Sequence, residues 1–362
     1  MFLLSFVGLA TAQQSSFPTG CPNVTSLSAA PKANIPKTPE RIASDKLVAE
    51  GQAAIRTTTS ETLAKAISLY EQAVQADPKN PDAYIALARA HPQTERYMGV
   101  PRQTARARAW ENLSKARELD PANLDALHLL ADQVIHNNHD YKCSEKILAA
   151  ALKLDPQNAR SNFYYSQLLS GMGKFDLAFK YSDKAIAVAD TSTLNMVTIN
   201  AGRPRYMAGQ YDWVLDHYAK YLESHPGNGL AYFYRSMAFG AKGKFDEALV
   251  EAKKSMPDAP KGDAGGIALL AVAYANAGQK DKARELLNEL LQRDARGETV
   301  VKYRVAVIYE VLGERDEAFR WMDKGMDQSG FGSWLLWLNY DPAWNAARKD
   351  PRWKGIKKRA GW

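Results

Sequence analysis

The sequence predicts an all-α fold, a solenoid of about eight stacked helical hairpins closed by a C-terminal capping segment. Three observations predict it. One turn recurs as GKFDLAF at 173–179, GQYDWVL at 209–215, GKFDEAL at 243–249, GQKDKAR at 278–284 and GERDEAF at 313–319, its glycines 36, 34, 35 and 35 residues apart. A second turn alternates with it: DPKN at 77–80, DPAN at 120–123, DPQN at 155–158 and HPGN at 225–228. Between the turns apolar residues recur at spacings of three and four, as in Phe245, Ala248, Leu249 and Ala252, which is the stripe an amphipathic helix presents to a core.

Residues 1–12, MFLLSFVGLATA, form an apolar run that ends in a small-x-small pattern before Gln13. This reads as a secretory signal peptide and predicts an exported, periplasmic or secreted protein, although the positive charge ahead of the core rests on the α-amino group alone. Residues 13–45 carry five prolines without helical or strand periodicity and are expected to form a flexible or extended lead-in. Cys21 and Cys143 are the two cysteines; in an oxidising compartment they could pair, and two unpaired thiols fit the sequence equally. After the N-terminus no run of about 20 apolar residues occurs, so no transmembrane span is expected.

The array is expected over 46–332. In each GKFDEAL-type turn the glycine stands where a chain leaving a helix adopts a left-handed conformation that other residues resist. The acidic residue that follows, Asp246 in GKFDEAL, falls in the first turn of the next helix, where the macrodipole favours it. In the alternate turns proline stops one helix and asparagine caps the next. Two alternating turns give two helices per unit, with boundaries at 47–80, 81–123, 124–158, 159–192, 195–228, 229–262, 264–297 and 299–332.

These units resemble the tetratricopeptide repeat family, a 34-residue helical hairpin. Ala66, Tyr70, Ala73 and Pro78 carry its second-helix signature in the first unit, and Ala248, Ala252 and Pro260 in the sixth; Gly202, Ser236, Ala271 and Ala306 take the small first-helix position. The resemblance implies a right-handed superhelix and a non-catalytic scaffold that binds a protein or peptide segment in a groove lined by first helices. That groove maps to Arg160, Phe163, Gln167, Ile199, Arg203, Phe233, Met237 and Tyr303. Phe163, Phe233 and Tyr303 fit an inter-repeat core equally well. The Lys/Asn carboxylate clamp of chaperone-binding members is not evident.

Three units depart from the pattern. The second is about nine residues longer than the 34-residue repeat, and its excess near HPQTERYMGVPRQTARAR is expected to protrude as a basic loop over 92–108 carrying Arg96, Arg102, Arg106 and Arg108. The fifth has Pro204 inside its first helix, which should kink or shorten it. The third replaces the turn glycine with His136-Asn137-Asn138-His139-Asp140.

Residues 333–362 hold Trp334, Trp337, Trp344, Trp353 and Trp362, with DPAW at 341–344 and DPRW at 350–353. They resemble the closing segment that follows bacterial repeat arrays, and the last hairpin needs such a cover for its apolar face. An alternative is that Lys354, Lys357, Lys358 and Arg359, with the basic 92–108 loop, bind an envelope surface or another polyanion. Catalytic patterns are wanting: no GxSxG, P-loop, HExxH or CxxC occurs, and two histidines in one turn make a poor metal site. The chain therefore reads as a non-enzyme with no metal, no cofactor and no sequence-specific nucleic-acid binding. A net charge of +7 over 362 residues is too dilute to name a partner.

Overall fold

The computed structural model describes residues 20–24, 27, 37–55, 57–256, 264–298, 300–326 and 336–362. The signal-peptide reading of 1–12 lies outside them. Every regular element among the described residues is helical. The chain divides into two compact units, the first containing Lys37–Leu119 and the second Asp120–Trp362.

The first unit comprises α1 (Pro39–Ala54), α2 (Ser60–Ala76), α3 (Pro81–Met98) and α4 (Arg102–Leu119). Helix α1 begins inside the expected lead-in. Thr38 supplies the reason, because its hydroxyl accepts from the Arg41 N–H at 3.2 Å and Pro39 follows at the first helical position. Asn80 is fully buried; it caps α3 by accepting from the Asp82 N–H and donates to Ser44 of α1 at 2.8 Å. Gly51 of α1 faces Tyr70, whose ring would lie 2.3 Å from any Cβ placed there, so a larger residue would force the two helices apart. Val48, Leu63, Ala66, Tyr70, Ala73, Ala83 and Leu87 form the core around this contact.

The expected basic loop is not a loop. Residues 92–98 continue α3 and 102–108 begin α4, leaving a connection of 99–101 with Gly99 at φ 67°. The extra residues lengthen two helices because Ala105, Ala109, Leu113 and Ala116 extend the buried stripe of α4 back to its start. Burial holds the Arg106 guanidinium down to about 10, so this arginine is partly withdrawn from solvent.

The second unit opens with α5 (Leu124–Asn138), α6 (Tyr141–Leu154), α7 (Ala159–Gly171) and α8 (Phe175–Ala187). Then come α9 (Leu194–Asn200), α10 (Gly202–Met207), α11 (Tyr211–Ser224), α12 (Gly229–Ala241) and α13 (Phe245–Ser255). The series ends with α14 (Ala264–Asn276), α15 (Lys280–Ala295), α16 (Lys302–Leu312) and α17 (Arg315–Met326). Successive helices pack as antiparallel hairpins, and the first helices α5, α7, α10, α12, α14 and α16 contact one another in order. Asn123, Asn158 and Asn228 cap α5, α7 and α12 through their side-chain oxygens. Gly173, Gly209, Gly243, Gly278 and Gly313 all have φ between 73° and 86°. In the irregular third unit His139 takes that left-handed role at φ 51°, and Asp140 caps α6 by accepting from the Cys143 N–H at 2.9 Å. Pro204 splits the fifth unit's first helix into α9 and α10 at Ala201.

After α17 the described chain resumes at Leu336 and runs through a turn at 336–340, two 3₁₀ turns (Pro342–Trp344 and Ala347–Lys349) and α18 (Trp353–Arg359). Leu338, Trp344, Ala347, Trp353, Ile356 and Ala360 complete the core of α14–α17. Trp344 has no exposed surface, and its indole N–H donates to the Tyr303 hydroxyl at 2.8 Å.

Candidate functional site

The face built by the first helices of the second unit is already occupied by the chain itself. Helix α7 displays Phe163, Gln167, Ser170 and Gly171 at three-, four- and seven-residue spacing, so one stripe of it faces inward. Against the end of this stripe lies Trp337, whose indole N–H donates to the Ser170 hydroxyl at 2.9 Å across 167 residues of sequence. The Arg203 guanidinium of α10 covers the other side of the same indole at 4.7 Å from the ring centre. Leu336 sits on Gly171, where a Cβ would come within 2.2 Å of the leucine side chain and 2.7 Å of its carbonyl oxygen. Tyr340 meets Phe175 edge to face at 5.1 Å. Next in the chain, the buried Asp341 accepts from Tyr303 of α16 and from the Ala343 N–H.

Residues 336–344 therefore form a strap from α16 past α10 to α7. The C-terminus reaches further back: Trp362 stacks on Tyr141 of α6 at 4.2 Å, and the Tyr141 hydroxyl donates to the Ala360 carbonyl at 2.7 Å.

The eight groove residues fall into three settings. Arg203, Phe233 and Met237 meet at a cavity of about 320 Å³, walled also by Tyr234, Met207, Leu230 and Arg304. Met237 and Tyr303 line an adjoining cavity of about 260 Å³ that Asp341, Pro342 and Ala343 of the strap help enclose. Arg304 lies over the Phe233 ring at 4.7 Å, and the Arg203 Nε–H donates to the Tyr234 hydroxyl at 3.0 Å. Phe163 and Phe233 are half-buried, whereas Tyr303 is core at 2% exposure. Ile199 is buried on α9, and Arg160 is apart from the cavities, paired with Asp125 of α5 at 3.3 Å. Gln167 is 7% exposed, and both polar atoms of its amide are without hydrogen-bond partners.

The buried polar groups follow from this packing. Burial raises the Asp341 carboxyl above the usual carboxylate range, although the Tyr303 hydroxyl and the Ala343 N–H favour its charged form. The Tyr303 phenol is pushed well up, by burial first and by the neighbouring Asp341 charge second. Burial lowers Arg304, and the nearby Arg203 charge acts in the same direction. Buried charges held this way organise a surface, and nothing in their arrangement provides a nucleophile with a base beside it.

Sequence reasoning did not place Ser170, Gly171, Phe175, Trp337 and Tyr340 in this site. Gly171 carried a signal: Gly173 already serves the turn, so a second glycine in the last helical turn asks for a close neighbour. In the closing segment, Arg352 pairs with Asp316 and Asp350, and Arg359 with Asp323, while Lys354, Lys357 and Lys358 are exposed. His136 pairs with Asp132 at 3.2 Å, and among the described residues no group of three or more His, Cys, Asp or Glu is placed to hold a metal ion. Cys21 and Cys143 are both disulfide-bonded. No helix among the described residues is long and apolar enough to cross a membrane.

Stacked hairpins whose inner face receives the 336–340 turn define a helical-repeat array. Residues 59–97, spanning α2 and most of α3, match the family model described as Tetratricopeptide repeat. Over that stretch the chain carries a tetratricopeptide repeat, and its fold is similar to that of a solved tetratricopeptide repeat protein. Yeast Tom70 is similar at 18% identity and TM-score 0.52, over 94% of this chain and 70% of that one. A tetratricopeptide repeat protein from Parabacteroides merdae is similar at 16% identity and TM-score 0.50, over 76% of this chain and 99% of that one. The human IFIT1 dimer with m7Gppp-AAAA is similar at 15% identity and TM-score 0.52, over 78% and 71%. At these identities the likeness is one of fold. No curated protein matches the chain by sequence.

Proposed function

We propose that the chain is a non-catalytic, exported scaffold that binds a protein or peptide segment on the inner face of its second unit. One observation carries the reading: this face takes up a polypeptide turn, since Ser170, Gly171, Phe175 and Arg203 receive Trp337, Leu336 and Tyr340. Fold and repeat type support it, because tetratricopeptide arrays generally serve protein–protein interaction. Both cavities include aromatic rings and a guanidinium group, Tyr206 and Arg304 being common to the two, and such side chains are those most often found at binding hot spots. Export is supported by the apolar start of the sequence and by the disulfide-bonded cysteines, which persist in oxidising compartments.

The polyanion reading receives less support. Residues 92–98 and 102–108 are helical with Arg106 partly buried, and two arginines of the closing segment are committed to carboxylates. The test is a crosslinking capture from the exported fraction of the native host, comparing the intact chain with Phe163→Ala/Arg203→Ala/Phe233→Ala. The proposal expects capture to fall at least tenfold with the triple variant. Equal capture by a folded triple variant removes the inner face as the binding element.

A further inference from the structure

We propose that the turn Leu336–Tyr340 is an internal ligand of the inner face. On this proposal the external partner is a peptide segment of the same chemistry, an indole followed within a few residues by a phenol, which takes that turn's place. The inference rests on the scaffold reading above and adds the partner's chemistry and the way access is controlled.

The strap behaves as two parts. From Asp341 onward its side chains belong to the terminal core: Trp344, Ala347, Trp353 and Ile356 are buried among α16 and α17. Ahead of Asp341, Leu338 still anchors in that core, while Leu336, Trp337 and Tyr340 leave it and reach α7, α8 and α10. Their attachments there are of the kind one peptide makes to a groove. A ring sits between a hydroxyl and a guanidinium, a side chain lies on a glycine, and a second ring is edge-on to a phenylalanine. Tyr340 is only half-buried, so the turn has an open edge from which exchange can start.

The turn also leaves part of the face unsatisfied. Ser166 Oγ and both polar atoms of the Gln167 amide, on the same stripe of α7 as Ser170, have no hydrogen-bond partner although both residues are buried. Gln133 of α5 repeats the pattern 34 positions earlier, with 6% exposure and both amide atoms unpartnered. A primary amide offers one acceptor and two donors, the complement of a peptide main chain. Neighbouring helices pack roughly 8–10 Å apart, which about three extended residues span. A segment that copies the Trp337 and Tyr340 contacts and runs on from α7 toward α5 gains hydrogen bonds the internal turn does not make. That difference is what lets it displace a tethered competitor, since a ligand shifts an equilibrium only by its differential affinity. Tethering raises the turn's effective concentration to about the millimolar range, so the same sequence free in solution competes poorly with the intact chain.

The test uses a fluorescein-labelled peptide of residues 333–344, SWLLWLNYDPAW, titrated by anisotropy against the full chain and against Trp337→Ala/Tyr340→Ala. The expected result is at least tenfold tighter binding to the variant than to the wild type. Affinity is expected to be lost when the peptide's positions 337 and 340 are alanine, and when Ser170→Ala and Arg203→Ala are added to the protein. If circular dichroism shows that the double variant does not fold, Tyr340→Ala alone carries the test, with severalfold tighter binding expected. Equal affinity for wild type and a folded variant, or affinity indifferent to the peptide's aromatics, overturns the proposal. The scaffold reading fails separately, when the inner-face triple variant captures its partner undiminished.

Discussion

Gly171→Ala separates a strap docked on α7 from a merely terminal cap, because the two arrangements predict opposite signs. Gly171 is the last residue of α7 and has an ordinary helical backbone, so on local grounds alanine should stabilise by up to about 1 kcal/mol. With the strap in place the new methyl meets the Leu336 side chain at 2.2 Å and its carbonyl oxygen at 2.7 Å. A side chain can rotate away; a main-chain oxygen moves only with the turn that carries it. Overpacking of this kind costs about 1–3 kcal/mol. Releasing the strap altogether would expose Trp337, whose burial of roughly 150–250 Å² is worth about 4–6 kcal/mol at 25 cal/mol per Å². The smaller cost wins, so the strap is expected to shift and stay docked. A net loss of about 2 kcal/mol lowers the melting temperature of a unit this size by roughly 4–8 °C. Thermal unfolding followed by circular dichroism reads the change. An unchanged or raised melting temperature would refute the reasoning.

Three further predictions concern titration and redox state. His91 is buried in the first unit and its imidazole is held down to about 4, by burial first and the Arg108 charge second. A depressed imidazole is neutral when folded and charged when unfolded below about 6.5. Its contribution is therefore complete above that pH and is lost as pH falls from about 6.5 to about 4, by up to ~3 kcal/mol. An NMR titration of His91 with its midpoint near 6.5 contradicts this. Asp341 titrates in the opposite sense: its folded carboxyl is raised by burial, so its contribution is full below the unfolded value of about 3.9 and is lost as pH rises through the higher folded value. Wild type should gain stability relative to Asp341→Asn as pH falls from 7 toward 4, and a pH-independent difference in melting temperature between the two counts against it. The denatured, unreduced protein should show no reactive thiol to Ellman's reagent and two after reduction; two before reduction contradicts the bonded state of Cys21 and Cys143.

The repeat architecture was legible because its determinants are local. A glycine such as Gly243 at φ 74°, an asparagine such as Asn158 over the Ser161 N–H, and a stripe such as Ala248 and Ala252 each act within one turn or one helix. Where another residue type took a local role, the reading lost precision. His139 replaces the glycine of its turn at positive φ, and the end of α3 with the Arg-rich start of α4 looked like a loop over 92–108 although Ala105, Ala109, Leu113 and Ala116 already carried the α4 stripe.

The site was less legible for a different reason. Trp337 and Ser170 are 167 residues apart, and nothing in the spacing of either segment encodes their meeting. Apolar residues at 336–338 satisfy the requirement for an end cap and the requirement for a groove occupant equally well. Long-range choice between the two depends on shape, and the shape signal in the sequence was one helical glycine, Gly171. Arg203, Phe233 and Met237 could be mapped together because Arg203 and Met237 stand one repeat of 34 residues apart and Phe233 lies one helical turn before Met237 on the same face, relations that the repeat period and the helix period supply.

The most direct test of the central claim, that the inner face of the second unit holds the turn at 336–340, is photocrosslinking from position 337. Trp337 is replaced by benzoylphenylalanine in the full chain, irradiated at high dilution, and the products are mapped by mass spectrometry. The account predicts intramolecular crosslinks to Ser170, Gly171 and Arg203. Crosslinks confined to α16 and α17 would contradict it and make the segment a terminal cap alone.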